Sequence, residues 1–182
     1  MSKVQVHFTD YLKETIGAMG REGLLLCTVG KDGRPNAMTI GWGTIGIVWG
    51  KPIFAVLVRP SRFTYSLLEE CEDFTVNVLP REMAEVATFC GTVSGRTHDK
   101  FAERGLTASP ARYVKSPLIE QSVIQYECRV VHRNDVVPEA LSPDIKSSCY
   151  ASGDYHRIYF GEILAVYAEP DARSRVSSAE YE

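Results

Sequence analysis

The most constraining feature of this sequence is a run of four short apolar segments, each separated from the next by glycine or proline. The segments are LLLCTVG (24–30), NAMTIGWG (36–43), TIGIVWG (44–50) and PIFAVLVR (52–59). The first two flank KDGRP, and its central Asp-Gly pair is a strong β-hairpin signal. Short β-branched segments with breaks this close together are typical of a closed or nearly closed antiparallel barrel.

The remaining sequence adds helices and two long strands to this β-rich start. Apolar residues at helical spacing predict an N-terminal helix within 1–20, a helix over 61–71 that begins at Ser61, and a helix over 81–91. Further strands are predicted at 73–80, 122–137 and 156–169, a connecting loop at 138–155, and a polar tail at 170–182. We expect one domain over 1–182, mostly β with helices.

Composition and cysteine spacing narrow the class of protein. A chain of 182 residues with a formal net charge of −3 lacks the basic excess that nucleic-acid binding usually requires. Its five cysteines are irregularly spaced and contain no C-x-x-C, and its four histidines are too scattered to predict a metal site. Because neither a signal peptide nor a membrane span is recognisable, we expect a cytoplasmic protein without membrane contact.

One motif in the barrel region matches a dinucleotide-binding fingerprint only in the spacing of its glycines. Gly41-Trp42-Gly43-Thr44-Ile45-Gly46 fits G-x-G-x-x-G. A dinucleotide site requires these glycines to open a helix, whose N-terminus then holds the pyrophosphate. Here the following residues, 47–52, are typical of a strand and a turn, so the sequence argues against a Rossmann site.

Four segments, in order, resemble the flavin reductase-like family, whose fold is the FMN-binding split β-barrel, and they are closest to its flavoredoxin branch. The segments are NAMTIGW (36–42), RPSRFT (59–64), SGRTHDKF (94–101) and GDYHRIYFGEI (153–163). The resemblance implies a Greek-key split barrel and a homodimer with one FMN per subunit. Many members carry Gly-Asp-His in the last segment, whereas Tyr155 intervenes here.

The resemblance and the residue chemistry together suggest a phosphate site around the second segment. Arg59 and Arg62 are candidates for charge and bidentate hydrogen bonds. Ser61, Thr64 and the first N–H groups of the predicted helix are candidate donors, assisted by the helix dipole.

The first segment is predicted to hold the flavin ring. Even-numbered residues of a strand share one face, which would place Trp42 beside two apolar neighbours. Gly41 lets the backbone approach a ligand closely, and Asn36 is a candidate polar contact. The cofactor-binding residues expected here are Asn36, Met38, Thr39, Ile40, Gly41 and Trp42, although Met38 and Ile40 are equally explained as barrel core.

The third and fourth segments supply candidate charged and catalytic groups. Lys100 and Arg96 are cations that would stabilise negative charge on reduced FMN, and a solvated helix face is the alternative. Ser94 and Gly95 are candidate backbone donors. His156 follows Gly-Asp at the start of a strand and is the candidate catalytic residue, with a purely structural role as the alternative.

These features predict an FMN-dependent oxidoreductase that transfers hydride from NAD(P)H to flavin and passes electrons onward, to a small acceptor or a redox protein. Three alternatives stay open at this level. The first is an FMN electron carrier without NAD(P)H reactivity. The second is a flavin-free binding barrel, and the third is a haem-binding barrel.

Overall fold

A computed structural model describes residues 2–176 of the chain, and ten strands alternate with six α-helices in this part. The strands are β1 (Val4–Val6), β2 (Leu24–Val29), β3 (Pro35–Ile40), β4 (Gly43–Val48), β5 (Lys51–Val58), β6 (Asp73–Val78), β7 (Ala108–Ser109), β8 (Leu118–Ile119), β9 (Ile124–Asp135) and β10 (Arg157–Ala168). The α-helices are α1 (Leu12–Met19), α2 (Phe63–Glu70), α3 (Ala84–Thr92), α4 (Lys100–Arg104), α5 (Pro143–Cys149) and α6 (Ala172–Arg175), and short 3-10 helices cover Arg81–Met83 and Pro138–Ala140.

The main sheet is antiparallel throughout and ends on two strands that are consecutive in the chain. Its order is β3-β2-β6-β9-β10-β5-β4, with β1 paired to the end of β10. One face encloses a core that includes Met38, Phe54, Val76, Tyr126 and Tyr159. The sheet therefore wraps around its core and leaves an opening between its two end strands, β3 and β4, which agrees with the split barrel that the resemblance implied.

The outer face of β6 and β9 holds the segment 112–119 through polar side chains. The Glu127 carboxylate accepts the N–H groups of Arg112 and Tyr113, and the Asp73 carboxylate accepts those of Lys115 and Ser116. Both carboxylates are buried. Buried charges are tolerated when each oxygen receives a hydrogen bond, so this arrangement stabilises the segment and both acids together.

Thr75 and Asn77 continue the same row along β6. The Thr75 hydroxyl donates to the Pro117 carbonyl, and the Asn77 amide oxygen accepts the Ile119 N–H. The segment 112–119 is thus attached to the sheet by four side chains, and their hydrogen bonds to the segment are all to its backbone.

Two helices begin later than the sequence predicted. Helix α2 starts at Phe63 and not at Ser61, because the Ser61 N–H and hydroxyl both donate to the Asp154 carboxylate. Helix α3 starts at Ala84, and a separate 3-10 turn covers the preceding residues 81–83.

The prediction of a connecting loop over 138–155 was wrong in the middle of this range, where α5 spans Pro143–Cys149. Ser142 at the N-cap, Pro143 in the first turn and Asp144 behind it form a helix-start signal. The same Ser142-Pro143 pair, with Gly153-Asp154 after the helix, is also typical of a loop, and this second interpretation led to the wrong prediction.

Both ends of the chain also differ from the prediction. Strand β1 precedes the N-terminal helix, which is restricted to Leu12–Met19. In the predicted polar tail, α6 spans Ala172–Arg175, and both Ala172 and Val176 are buried in the core. The remainder of that tail, 177–182, lies outside the described residues. No helix within residues 2–176 has the length and apolar character needed to cross a membrane.

Candidate functional site

Two adjoining cavities lie at the opening of the sheet and share Met38 and Arg62. The first, here the Trp42 cavity, has a volume of about 180 Å³ and is lined by Met38, Thr39, Ile40, Gly41, Trp42, Leu57, Arg59, Arg62 and His156. The second, here the Thr64 cavity, has a volume of about 100 Å³ and is lined by Asn36, Met38, Ser61, Arg62, Phe63, Thr64, Cys90, Gly91, Thr92, Val93, Ser94, Gly95 and Lys100. Every predicted site residue except Arg96 lines one of them.

Trp42 and His156 form an aromatic wall of the Trp42 cavity. Their ring centroids are 5.0 Å apart, and Tyr150 contacts Trp42 edge-on at 6.3 Å. The expectation that Trp42 continues the strand of Met38 and Ile40 was wrong, because β3 ends at Ile40 and Trp42 lies in the connection to β4. The indole is 43% exposed, so a large part of it is available to a bound molecule.

His156 is almost fully buried, and its ring is neutral near pH 7. The side chain is 8% exposed, and its Nδ1 lies 2.8 Å from the Tyr150 hydroxyl oxygen. Burial above all, together with the charges of Arg59 and Arg62 and against the opposing effect of Asp154, lowers the pKa of His156 from 6.5 to about 4. The ring is therefore a neutral polar group facing the cavity.

The extra residue in the fourth segment is absorbed by an unusual backbone conformation. Gly153 and Asp154 have φ values of 78° and 56°, in the left-handed region. Two successive left-handed residues turn the chain sharply, and Tyr155 then stacks on Tyr150 at 4.8 Å. As a result His156 still reaches the Trp42 cavity despite the inserted tyrosine.

Arg59 is engaged with backbone carbonyls of the segment that precedes His156. Its guanidinium donates to the carbonyls of Cys149 and Asp154 at 2.9 Å each and to that of Gly153 at 3.5 Å. It also lies 5.1 Å from the centroid of the Tyr150 ring. The primary contacts of Arg59 thus hold a loop, and its predicted phosphate contact stays a prediction.

Arg62 differs from Arg59 because its guanidinium makes no hydrogen bond or ion pair with any residue from 2 to 176. It lies at the N-cap of α2, where no side chain caps the helix. The first N–H groups of an uncapped helix and an unpaired arginine both favour an anion. This junction between the two cavities therefore matches the requirements of a phosphate group.

The Thr64 cavity has a buried polar floor. The Asn36 side-chain amide donates to the Thr64 hydroxyl at 2.9 Å, and both residues are buried. Gly95 lies so close that a Cβ on it would be 2.0 Å from the Asn36 amide oxygen. Glycine is required here because the loop that begins at Ser94 approaches this floor, and Arg96 N–H donates to the Ser94 hydroxyl within that loop.

Lys100 is buried and joins β3 to α3. Its ammonium group donates to the Ala37 carbonyl at 2.9 Å and to the Cys90 carbonyl at 2.7 Å. Burial lowers the pKa of Lys100, and Arg62 acts in the same direction. Two of its three N–H donors are thus occupied, which leaves one for the Thr64 cavity.

The remaining predicted residues are Met38 and Ile40, whose side chains lie in the core, Thr39, which contacts α3, and Arg96, which lies outside both cavities. Met38 and Ile40 are buried in the core cluster, so their side chains are explained by packing. The Thr39 hydroxyl donates to the Ala87 carbonyl of α3. Arg96 lines neither cavity; it donates to the Ser61 carbonyl at 3.3 Å and lies over the Phe63 ring.

Tyr150 is the main site residue that sequence reasoning missed. It caps the C-terminus of α5 and reaches His156 from outside the four resemblance segments. Because its segment was predicted to be a loop, no pattern pointed to it. Leu57 was missed for a different reason, since a leucine within an apolar strand is indistinguishable from core.

The model of the flavin reductase like domain matches residues 19–178 of this chain. The chain belongs to the flavin reductase-like family. An uncharacterized protein of Archaeoglobus fulgidus is 31% identical over 133 residues, which cover 73% of this chain and 65% of that relative. The chain thus spans slightly less than two thirds of the length of this relative.

Solved structures of this family share the fold. Flavoredoxin of Desulfovibrio vulgaris (Miyazaki F) is 26% identical with a TM-score of 0.66, covering 82% of this chain and 70% of that one. An FMN-binding protein from Thermus thermophilus is 22% identical (TM-score 0.62; 81% and 70% covered), and Streptomyces globisporus NADH:FAD oxidoreductase SgcE6 is 19% identical (TM-score 0.62; 81% and 76%). These matches confirm the predicted split-barrel architecture.

The lowered pKa of His156 predicts acid sensitivity of the fold. Between about pH 6.5 and pH 4 the unfolded chain binds a proton at this histidine that the folded chain does not, so stability falls as the pH falls. We expect a loss on the order of 3 kcal/mol across this window. Urea unfolding at a series of pH values measures it.

The variant His156→Gln should show a shallower decrease over the same window. His7→Gln is the matched control, because His7 is exposed near the N-terminus. An unchanged pH dependence in His156→Gln would contradict the assignment.

Proposed function

We propose that this protein is an FMN-binding oxidoreductase that accepts hydride from NAD(P)H. The observation that carries the proposal is the unpaired Arg62 guanidinium at the uncapped N-terminus of α2, between a cavity with an aromatic wall and a cavity with a polar floor. FMN would match this arrangement, because it has a flat ring system at one end, a phosphate dianion at the other end, and a polar chain between them.

The residues present fit such a molecule. Arg62, the first N–H groups of α2 and the loop at Ser94 and Gly95 would hold the phosphate. Trp42 and the backbone around Gly41 would face the ring in the Trp42 cavity. The polar chain would cross the junction toward the phosphate in the Thr64 cavity, whose floor is the Asn36–Thr64 pair. Bound flavin supplies the two-electron redox chemistry, while the protein contributes binding, orientation and electrostatics.

Two chain residues would adjust the charge around a bound flavin. Lys100 lines the Thr64 cavity, and its ammonium group would favour negative charge there. His156, as a neutral ring beside Trp42, would contact the flavin or the nicotinamide. The family membership and the fold shared with an NADH:FAD oxidoreductase support NAD(P)H as the hydride source.

Removal of the Arg62 side chain should weaken FMN binding. A charge-assisted hydrogen bond contributes about 1.5–3 kcal/mol, so Arg62→Ala should raise the Kd by about 10- to 100-fold. Quenching of FMN fluorescence by the purified protein measures the Kd. Arg21→Ala is the matched control, because Arg21 is an exposed arginine away from both cavities. Equal affinity of both variants would refute the phosphate assignment.

Reaction with NAD(P)H should be visible without any added acceptor. In anaerobic buffer, the FMN-loaded protein should lose the absorption band of oxidised flavin when NADH or NADPH is added, and air should restore it. Dithionite reduction of the same sample is the control for flavin that is present and reducible. If only dithionite bleaches the band, the hydride-accepting function is wrong.

A second function has a specific observation in its favour. The solved flavoredoxin is 26% identical, the highest identity among the three structures compared above. An FMN electron carrier without NAD(P)H reactivity would use the same cavity and would exchange electrons with a redox protein. Retained FMN binding together with the dithionite-only outcome would select this function.

We also propose that the protein is a homodimer. The hairpin of β4 and β5 exposes Ile47 (61%) and Trp49 (62%), and Trp49 packs against His132 and Phe160 of the neighbouring strands. Large apolar side chains exposed on one hairpin favour association. Sedimentation equilibrium should give a dimer, and Ile47→Glu should raise the monomer fraction. A monomeric wild type would contradict the proposal.

We also propose that the protein is located in the cytoplasm. All five cysteines are free, and Cys27, Cys71, Cys90 and Cys128 are buried. Free thiols support a reducing compartment.

A further inference from the structure

We propose that Tyr150 is a positioning residue that holds His156 as its Nε2–H tautomer, so that the Trp42 cavity receives a neutral hydrogen-bond donor. The expected ligand class is a molecule that places a carbonyl oxygen or another lone-pair acceptor against this wall. The identity of that ligand as flavin or nicotinamide rests on the proposed function; the tautomer itself does not.

Tyr150 is fixed from several sides, which makes it suited to positioning. Its side chain is buried, stacks on Tyr155 with an interplanar angle of 22°, and contacts Trp42 edge-on. Arg59 lies over its ring, and the same guanidinium donates to carbonyls on both sides of it, at Cys149 and Asp154. The hydroxyl is therefore held at a defined place beside the imidazole.

The direction of the hydrogen bond follows from the groups available. Burial raises the pKa of the Tyr150 hydroxyl, so this group keeps its proton. If Nδ1 donated, the phenolic proton would have no partner among residues 2–176, and an unpaired buried donor is costly. If the hydroxyl donates to Nδ1, the phenolic proton is satisfied and the proton of the neutral ring must be on Nε2. The one donor then left without a protein partner among residues 2–176 belongs to a ring that lines the open Trp42 cavity, where a ligand can accept it.

The charged groups around His156 favour the same neutral ring. Arg59 and Arg62 face it with positive charge, and Asp154 opposes them from the turn before it. Nε2 makes no hydrogen bond with any described residue, and the ring lines the Trp42 cavity. The donor is therefore available to a ligand, whereas a cationic ligand would meet two arginines.

Nitrogen NMR of the histidine side chains tests the tautomer in the protein without added flavin. We expect the chemical shift of His156 Nδ1 to lie in the range of an unprotonated ring nitrogen and that of Nε2 in the range of a protonated one. In Tyr150→Phe both tautomers should be populated, and the pKa of His156 should rise because the neutral ring loses its donor. Tyr155→Phe is the matched control, since it keeps the stacked ring and removes a hydroxyl that does not reach His156.

Two results would overturn the proposal. The first is an Nδ1–H tautomer in the wild type, a measurement that decides the matter even if Tyr150→Phe does not fold. The second is a Tyr150→Phe variant with the tautomer and pKa of the wild type.

FMN titration adds a ligand readout to the same variants. Loss of one well-placed hydrogen bond corresponds to about a fivefold rise in Kd, expected for Tyr150→Phe and absent in Tyr155→Phe. If the wild type binds no FMN at all, the proposed function fails, while the NMR result still decides the role of Tyr150.

Discussion

The attachment of Arg59 to the segment between Cys149 and Asp154 is the interaction on which the arrangement of the cavity depends. Strand β5 ends at Val58, so the guanidinium of the next residue extends from the rigid sheet. Its hydrogen bonds to three carbonyls, together with those of Ser61 to the Asp154 carboxylate, fix this segment against the end of the sheet. That segment carries Tyr150 and leads directly into His156, and both rings then pack against Trp42.

The sequence indicated the split barrel well because its strand signals are local. Each apolar segment between residues 24 and 59 has its own glycine or proline boundary, and the observed strands β2 to β5 follow those segments within one to three residues. The resemblance segments also contribute most of the cavity lining, but Leu57 and residues 90–93 lie outside them. Residue identity and chain order were sufficient for these features.

The hydrogen-bond partners of the site residues could not be predicted from the sequence, because these partners lie far away along the chain. Arg59 and Arg62 look alike in the motif, yet one bonds carbonyls about 90 residues away and the other has no partner among the described residues. Serine is a residue type typical of a helix N-cap, but the Ser61 hydroxyl donates to the Asp154 carboxylate, and the helix begins later. Tyr150 acquires its position from α5, whose start signal was masked by loop-like neighbours.

The attachment of segment 112–119 to the outer face of the sheet has a consequence for how this protein can vary. Asp73, Thr75, Asn77 and Glu127 all bond backbone groups of that segment. A backbone N–H or carbonyl is offered by almost any amino acid, proline lacking only the donor. The four anchoring side chains are therefore constrained in identity, whereas the tethered stretch is free to change its exposed residues and diversify the outer surface without loosening the barrel.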